Sequence, residues 1–379
     1  MKICHITTVH ERYDIRIFWK ECISAAKAGN QVFLIVNDDL DDEEVGGVKL
    51  FTIKSPSTNR ISRILSKQTK KKAYERAIDM DADIYHFHDP ELLSVGTKLK
   101  KQGLCVIYDS HEDVPRQILG KEWIPSFIRP LISRVYEQYE NRCARKFDCI
   151  IAPTPHIKER FEKLNNSVWE ICNFPSFEDI KYSGENYSND NPGCYVGGLS
   201  NNRGIKQIAE ATDKVGLRLN LCGKFESIGL KQELLNNYKD VEHLGVLGRN
   251  DISEVLCNSS MGFVTLLNTP NDAMAYPIKL FEYMAAGIPV IASKFPVYKE
   301  IVDGNNCGIC VDPMDIGQIC DAINKIKSDK EYADILRRNG YKAIIEKYNW
   351  ESQAAKLIRC YNNCLNEKNN YYNKRIREA

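Results

Sequence analysis

Short apolar runs alternate with longer amphipathic stretches along most of the chain. "MKICHITTV" is a compact apolar run, and "IRIFWKECISAAKAGN" follows it with helical spacing and a Gly29-Asn30 stop. "QVFLIV", "ADIYHFH", "LCVIYDSH" and "FDCIIAPT" are further β-rich runs, and the helical "PELLSVGTKLKKQG" separates the middle two. Such alternation predicts βαβ units around a parallel sheet. Around residues 173–192 the pattern breaks into "NFPSFEDIKYSGENYSNDNPG", a polar stretch that reads as an interdomain linker. Strand-like runs then resume with "CYVGGL", "RLNLCG", "VEHLGVL", "MGFVTLL", "PVIAS" and "CGICVDP". The C-terminal "ESQAAKLIRCYNNCLNEKNNYYNKRIREA" predicts one helix and a polar tail. The expected fold class is α/β, with two Rossmann-like lobes and a cleft between them. The first lobe spans residues 1–175, with the C-terminal helix of residues 352–379 packing back on it; the second spans residues 176–351.

Bulk composition narrows the class only a little. The 379 residues suit two domains at about 100–200 residues each. Lys+Arg is 52 against Asp+Glu 51, so a net charge of +1 gives no general case for nucleic acid. No stretch approaches the roughly 20 apolar residues of a membrane span, and the N-terminus lacks a signal-peptide pattern, so a cytoplasmic location is expected. Many of the 14 cysteines, such as Cys4, Cys105, Cys149 and Cys222, sit in apolar runs and read as small hydrophobes in a reduced compartment. Cys307-Gly-Ile-Cys310 is a lone CxxC with no second pair at zinc spacing, and it reads as strand packing.

The loop after the first strand, "TTVHERYDIR", has no glycine and carries bulky charged groups. It cannot let a pyrophosphate approach the backbone, which argues against nicotinamide and flavin chemistry. No GxxxxGK[ST] motif occurs, which argues against P-loop phosphoryl transfer. In "YVGGLSNNRGIKQIAEA" a strand ends in Gly197-Gly198, and Arg203-Gly204 opens a helix. Glycines permit close backbone approach, a helix N-terminus favours an anion, and Arg203 adds a cation that can bind phosphate through two donors. "PIKLFEYMAAGIPVIAS" places Glu282 in an apolar helix that turns at Gly287 into a strand, with Lys279 three residues earlier on the same face. His111 ends a strand and precedes Glu112-Asp113. His86 and His88 share a strand face, but no third metal ligand is evident in sequence. Asp79-Met-Asp81 and Asp81-Ala-Asp83 lie between a helix and a strand, where acidic residues are common.

The glycine loop with its cation, the Glu282 helix about 80 residues later and "EIVDGNNCGICVDP" occur in an order that resembles the GT-B retaining glycosyltransferases of family GT4. "ITTVHERYDIRIFWKECISAAKAG", "HDPELL" and "YDSHED" look like a bacterial surface-polysaccharide branch of that family. The resemblance covers nearly the whole chain. It implies metal-independent hexosyl transfer from a UDP- or GDP-sugar, with no cofactor and no metal site, to a glycan or lipid-linked acceptor. Glu282 would bind the ribose hydroxyls, Arg203 and Lys279 the diphosphate, and His111 the donor sugar. Gly197, Gly198, Gly223, Lys224, Val246, Ala273, Met274, Ala275 and Leu280 would complete the donor site. His10, Asp14, Arg16, His88 and Asp89 would serve the acceptor. Two positions depart from the family pattern. Met274 stands where many members have the first Glu of E-x7-E, and Gly198 stands where they have an Arg. Asp272 or the amides of Ala273–Ala275 would have to substitute for the lost carboxylate. These departures keep a degenerate non-catalytic binding subunit in view, and a nucleotide-sugar epimerase using the same lobes without an acceptor is a second alternative. "RISRILSKQTKKKAYER" (Arg60–Arg76) and "KEWIPSFIRPLISRVYEQ" (Lys121–Gln138) combine basic and apolar residues, as a peripheral contact with an inner membrane face would require.

Overall fold

The computed structural model describes residues 1–55, 66–121, 123–184, 187–267 and 274–378, with side chains through residue 368. The chain divides into two compact units, Met1–Asn173 with Ser352–Ala379, and Phe174–Glu351.

In the first unit the strands are β1 (Lys2–Ile6), β2 (Gln31–Val36), β3 (Glu43–Val45), β4 (Val48–Thr52), β5 (Ile84–Phe87), β6 (Cys105–Asp109), β7 (Cys149–Ala152) and β8 (Val168–Glu170). They form one sheet in the order β3-β4-β2-β1-β5-β6-β7-β8, parallel throughout except for the β3–β4 hairpin. The hairpin turns on Gly46 and Gly47, both at positive φ (60° and 79°), as a two-residue turn that follows strand twist requires. Strand order reverses between β1 and β5, which opens a crevice at their carboxyl ends. Every residue of β5, β6 and β7 is buried, so the unit's apolar runs are core strands covered on both faces.

The second unit holds β9 (Gly193–Val196), β10 (Leu219–Cys222), β11 (Val241–Gly245), β12 (Met261–Val264), β13 (Val290–Ser293) and β14 (Gly308–Val311). Its sheet runs β11-β10-β9-β12-β13-β14 with all pairs parallel, and its order reverses between β9 and β12. Three sequence expectations change. The stretch from Phe174 onward belongs to this unit, and it is tied down rather than free: Ser183 N donates to Ala286 O, and buried Asn189 donates to Ile326 O. The C-terminal segment is one continuous helix, Trp350–Glu378, with no separate tail through Glu378. The third change lies in the first helix.

That helix starts as a π-helix, Ile15–Cys22, and becomes α-helical only over Ile23–Lys27. Its i→i+5 turns are wider than α turns. Residues five apart, which diverge on an α-helix, share a face here. Arg16 and Glu21 are such a pair; both are buried, with Arg16 Nε 3.0 Å from Glu21 Oε1. Arg16 Nη2 also lies 3.0 Å from both oxygens of Asp109, the last residue of β6. Burial alone would raise the Asp109 pKa, but the Arg16 guanidinium, helped by His111, His86 and His88, holds it well below the usual carboxylate range. Burial pushes Glu21 well above that range, the Asp109 charge pushes it further, and Arg16 offsets only part of this. The dominant ion pair of the cluster is therefore Arg16–Asp109, and Glu21 beside it is pushed toward its protonated form.

Two isosteric substitutions should then behave differently. Asp109→Asn leaves Arg16 buried without its counter-charge and should cost about 3–5 kcal/mol. Glu21→Gln replaces a neutral acid by a neutral amide and should leave the melting temperature at pH 7 unchanged or higher. Chemical and thermal unfolding of both purified variants would test this; equal losses would disprove the assignment of charge.

Candidate active site

The first unit gathers its histidines at the β1–β5 crevice. His5 lies on β1, His86 on β5, His88 just beyond β5, and His111 just beyond β6. Parallel pairing sets His5 beside His86. Tyr361, from the C-terminal helix, bonds His86 Nδ1 at 2.9 Å and His5 Nε2 at 3.3 Å through its hydroxyl. His5 Nδ1 meets His88 Nε2 at 2.9 Å, and His88 Nδ1 meets His111 Nε2 at 3.1 Å. A hydrogen-bonded chain therefore runs from buried Tyr361 through His5 and His88 to His111, whose side chain keeps 16% of its exposure. Burial lowers the pKa of His5, His86 and His88, and brings His111 down to about 4 even with Asp109 nearby. These imidazoles are neutral at pH 7. Each can donate with one nitrogen and accept with the other, so the tautomers along the chain are coupled.

Several expected acceptor residues prove to be internal. Arg16 is spent on Asp109 and Glu21, and His88 is fully buried within the histidine chain. Asp14 caps the π-helix, accepting from Arg16 N and Ile17 N at 2.9 Å. Asp89 is fully buried and organises the loop after β1: Thr7 Oγ1, the amides of Thr8 and Val9, Thr8 Oγ1 and His10 Nδ1 all bond its carboxylate. Arg16, His88 and Asp89 are therefore bound up in internal contacts, and none presents a surface to a ligand. Among that set, His10 and Asp14 keep part of their surface exposed. Burial works to lower the His10 pKa, but the Asp89 hydrogen bond and charge outweigh it and raise the value. The third and fourth partners absent from the sequence reading of His86 and His88 are His5 and Glu21. The four donor atoms lie within 4.8 Å of one another. A cation there would have to displace the His5–His88 bond and compete with Arg16. Sequence reading missed Glu21, Asp109 and Tyr361; only "YDSHED" around Asp109 carried a signal.

The second unit collects the expected donor residues at the carboxyl ends of its strands. Gly197 N donates to Cys222 O, Leu199 N to Lys224 O, and Gly223 N to Gly245 O, which lace together the loops after β9, β10 and β11. Gly197 (φ 128°) and Gly223 (φ 142°) have left-handed backbones, and a Cβ on Gly223 would sit 1.9 Å from Gly197 O. Bare backbone is thus the floor of the site. A Cβ on Gly197 would come within 3.2 Å of Lys279 Nζ, so that ammonium already lies over the glycine floor. Tyr195 holds both parts: its ring stands 3.6 Å from Lys279 Nζ, and its hydroxyl donates to Gly198 O at 3.2 Å. Arg203 is half-buried in the turn Asn201–Arg203, and Gly204 (φ 71°) then starts the helix Ile205–Lys214, with no room for a Cβ because Thr265 O would be 2.1 Å away.

Glu282 and Lys279 lie on the helix Ile278–Ala286, which ends at Gly287 in a left-handed cap. Both are partly exposed, whereas Leu280 is fully buried and offers a ligand no side chain. Tyr283, next to Glu282, accepts a bond from Val196 N at 3.0 Å and packs on Gly262, where a Cβ would be 2.3 Å from its ring. Tyr283 so fixes the helix against β9 and β12 at the point where strand order reverses. Val246, Lys224, Gly198 and Met274 are exposed, and Ala275 is partly so; Ala273 and Asp272 lie outside the described residues. Tyr195 and Tyr283 were the residues missed here, hidden because an aromatic in a strand or helix reads as core.

The depressed histidine pKa values set a direction for acid stability. Unfolded histidines take a proton near about pH 6.5, whereas His5, His86, His88 and His111 resist it in the fold, so the unfolded state binds more protons below that pH. Stability should be intact above about pH 6.5 and fall as pH drops toward the His111 value of about 4. His10 and Glu21, with raised values, act in the opposite sense. Melting temperatures measured between pH 7 and pH 5 should fall, and His111→Asn should flatten the slope by up to about 1.4 kcal/mol per pH unit. A slope unchanged by the substitution would contradict this.

Comparison with known proteins matches the two units separately. Residues 19–172 match the Glycosyltransferase Family 4 model, and residues 176–343 match the model described as Glycosyl transferases group 1. An uncharacterized glycosyltransferase of Methanocaldococcus jannaschii is 22% identical over 360 residues, covering 88% of this chain and 90% of that protein. Sucrose-phosphate synthase from Thermosynechococcus elongatus superposes with a TM-score of 0.79 at 18% identity, over 96% of this chain and 98% of that one. Anabaena HepE, solved in complex with UDP and glucose, superposes with a TM-score of 0.71 at 16% identity, over 95% and 98% respectively. With a parallel α/β sheet in each unit and a glycosyltransferase model matched to each, the chain is a GT-B glycosyltransferase of the family 4/group 1 type.

Proposed function

We propose that the enzyme transfers a hexose from a UDP- or GDP-sugar, with retention of configuration and without a metal ion, to a glycan or lipid-linked acceptor of a cell-surface polysaccharide. The observation that carries this reading is the glycine floor of Gly197 and Gly223 with Lys279 Nζ lying over it. A diphosphate needs close backbone approach and fixed cations, and this corner supplies both. Arg203 and the N-terminus of the helix Ile205–Lys214 would share the phosphate charge with Lys279 as the donor bond breaks. Glu282, one helical turn after Lys279, would accept hydrogen bonds from the ribose hydroxyls. Exposed Val246, next to Gly245, would approach the base through its backbone. His111, neutral at pH 7, would serve as a hydrogen-bonding group rather than a cation. HepE, solved in complex with UDP and glucose, supports the donor class.

Arg203→Ala, Lys279→Ala and Glu282→Ala should each lower turnover by about 10²–10³-fold while leaving the melting temperature near wild type. Glu282→Ala should also weaken nucleotide binding measured by calorimetry. Wild-type turnover in all three would refute the site, and epimerised donor as the only product would replace transfer by epimerisation.

We also propose a peripheral contact with an anionic membrane. Trp123, Phe127, Leu131, Val135 and Tyr139 recur every fourth residue and are all exposed, with Phe127 at 83%. Exposed Arg134, Arg142, Arg145 and Lys146 accompany them. An apolar stripe beside basic residues suits anionic headgroups. The other basic segment supports this less: residues 60–65 lie outside the described residues, and Arg76 is paired with Asp42. The enzyme should float with anionic vesicles at low salt, and Phe127→Glu with Leu131→Glu should abolish flotation while sparing turnover on a soluble acceptor. No flotation of the wild type would remove the proposal.

A further inference from the structure

Four cysteines from three elements converge in the first unit. Cys105 begins β6 and Cys149 begins β7, while Cys360 and Cys364 lie four residues apart on the C-terminal helix. Parallel pairing sets Ile107 against Cys149, so Cys105, two residues earlier, projects from the same sheet face as Cys149. Residues of the alternate set, Val106, Tyr108, Ile150 and Ala152, belong to the core on the opposite face. The rise of one helical turn between Cys360 and Cys364 is close to the rise of two strand residues, so a pair of helix thiols can face a pair of sheet thiols. The contacts follow this match. Cys149 Sγ is 3.3 Å from Cys360 Sγ, and the sulfurs of Cys149, Cys360 and Cys364 lie within 4.8 Å of one another; Cys105 stands beside this trio, its thiol pKa pushed up by Cys364 and by burial. All four are at most 1% exposed.

We propose that Cys105, Cys149, Cys360 and Cys364 form a structural site for a thiophilic divalent ion, with zinc the fitting metal. A single buried cysteine packs as a small hydrophobe, but three sulfurs within 4.8 Å of one another with a fourth thiol, Cys105, beside them offer the donor chemistry of a tetrathiolate site. Zinc–sulfur bonds of about 2.3 Å in a tetrahedron place sulfurs roughly 3.8 Å apart, which suits the spacing of Cys149, Cys360 and Cys364, and Cys105 would turn in as the fourth ligand. On binding, each ligating thiol gives its proton to solvent, the ion stays divalent, and no electron moves. A disulfide would use only two of the four sulfurs and would need Cys149 and Cys360 to close to about 2.05 Å. The site would tie the C-terminal helix to β6 and β7. Tyr361, adjacent to Cys360, anchors the histidine chain from that same helix. The ion would stand apart from the transfer chemistry and is independent of the donor assignment.

The test uses the full-length protein, reduced and stripped with a chelator. Cobalt(II) titration should saturate at a single equivalent, with thiolate charge-transfer bands and tetrahedral ligand-field bands that zinc then bleaches. Elemental analysis of unstripped protein should find zinc at near stoichiometric amount, and adding zinc to the stripped protein should raise its melting temperature. Cys360→Ser and Cys364→Ser should lose the tetrathiolate bands, whereas Cys307→Ala, in the other unit, should keep them. Wild-type protein that takes up no stoichiometric cobalt overturns the proposal, as do bands that persist unchanged in both serine variants or a Cys149–Cys360 disulfide found by mass spectrometry under the same conditions.

Discussion

The buried pair of Arg16 and Asp109 is the constraint on which the first unit's site depends. A guanidinium at full burial is tolerable only with a carboxylate against it, and Asp109 stays ionised only because Arg16 is there. That pair fixes the end of β6, from which His111 follows. It also fixes the π-helix, because the wide turn is what lets Arg16 and Glu21 face the same crevice. The histidines are then packed around a site whose charge is already balanced. They remain neutral and bond one another, ending at the slightly exposed His111.

The second unit solves a different problem by different means. Its floor must be bare backbone, so the strands end in glycines whose φ values or neighbours exclude a side chain. Bare backbone does not hold itself in place, and two buried tyrosines supply the hold. Tyr195 ties Gly198 and Lys279 to the end of β9, and Tyr283 ties the Glu282 helix to β9 and β12. The cation and the carboxylate are thus carried on elements whose positions are set by aromatic rings.

Legibility differed between these levels. The strand runs of both units were readable because a doubly covered parallel strand must be apolar along its length, and Gly-Gly or Gly-Asn pairs marked where elements stop. The β3–β4 hairpin was readable in principle from Val45-Gly-Gly-Val48. The short edge strand β8 was not, since three half-buried residues carry no period. The stretch after Asn173 misled because polar composition suggests a free linker, whereas its Ser183 and Asn189 donate to backbone carbonyls of its own unit.

The amino-acid order by itself determined the α/β class, the glycine loop, the Glu282–Lys279 spacing and the absence of dinucleotide and P-loop motifs. These are local properties, set by side-chain period and by which residues tolerate a backbone at positive φ. Tertiary structure alone decided which charged residues are exposed and which are internal. Arg16, Asp14, His88 and Asp89 look like binding groups in a polar loop, yet each is consumed by a partner far along the chain or by a helix end. It also brought Cys105, Cys149, Cys360 and Cys364 together from separations of up to 259 positions, 364 less 105. Burial and long-range pairing are set by where the sheet places distant segments, and no local pattern carries that information.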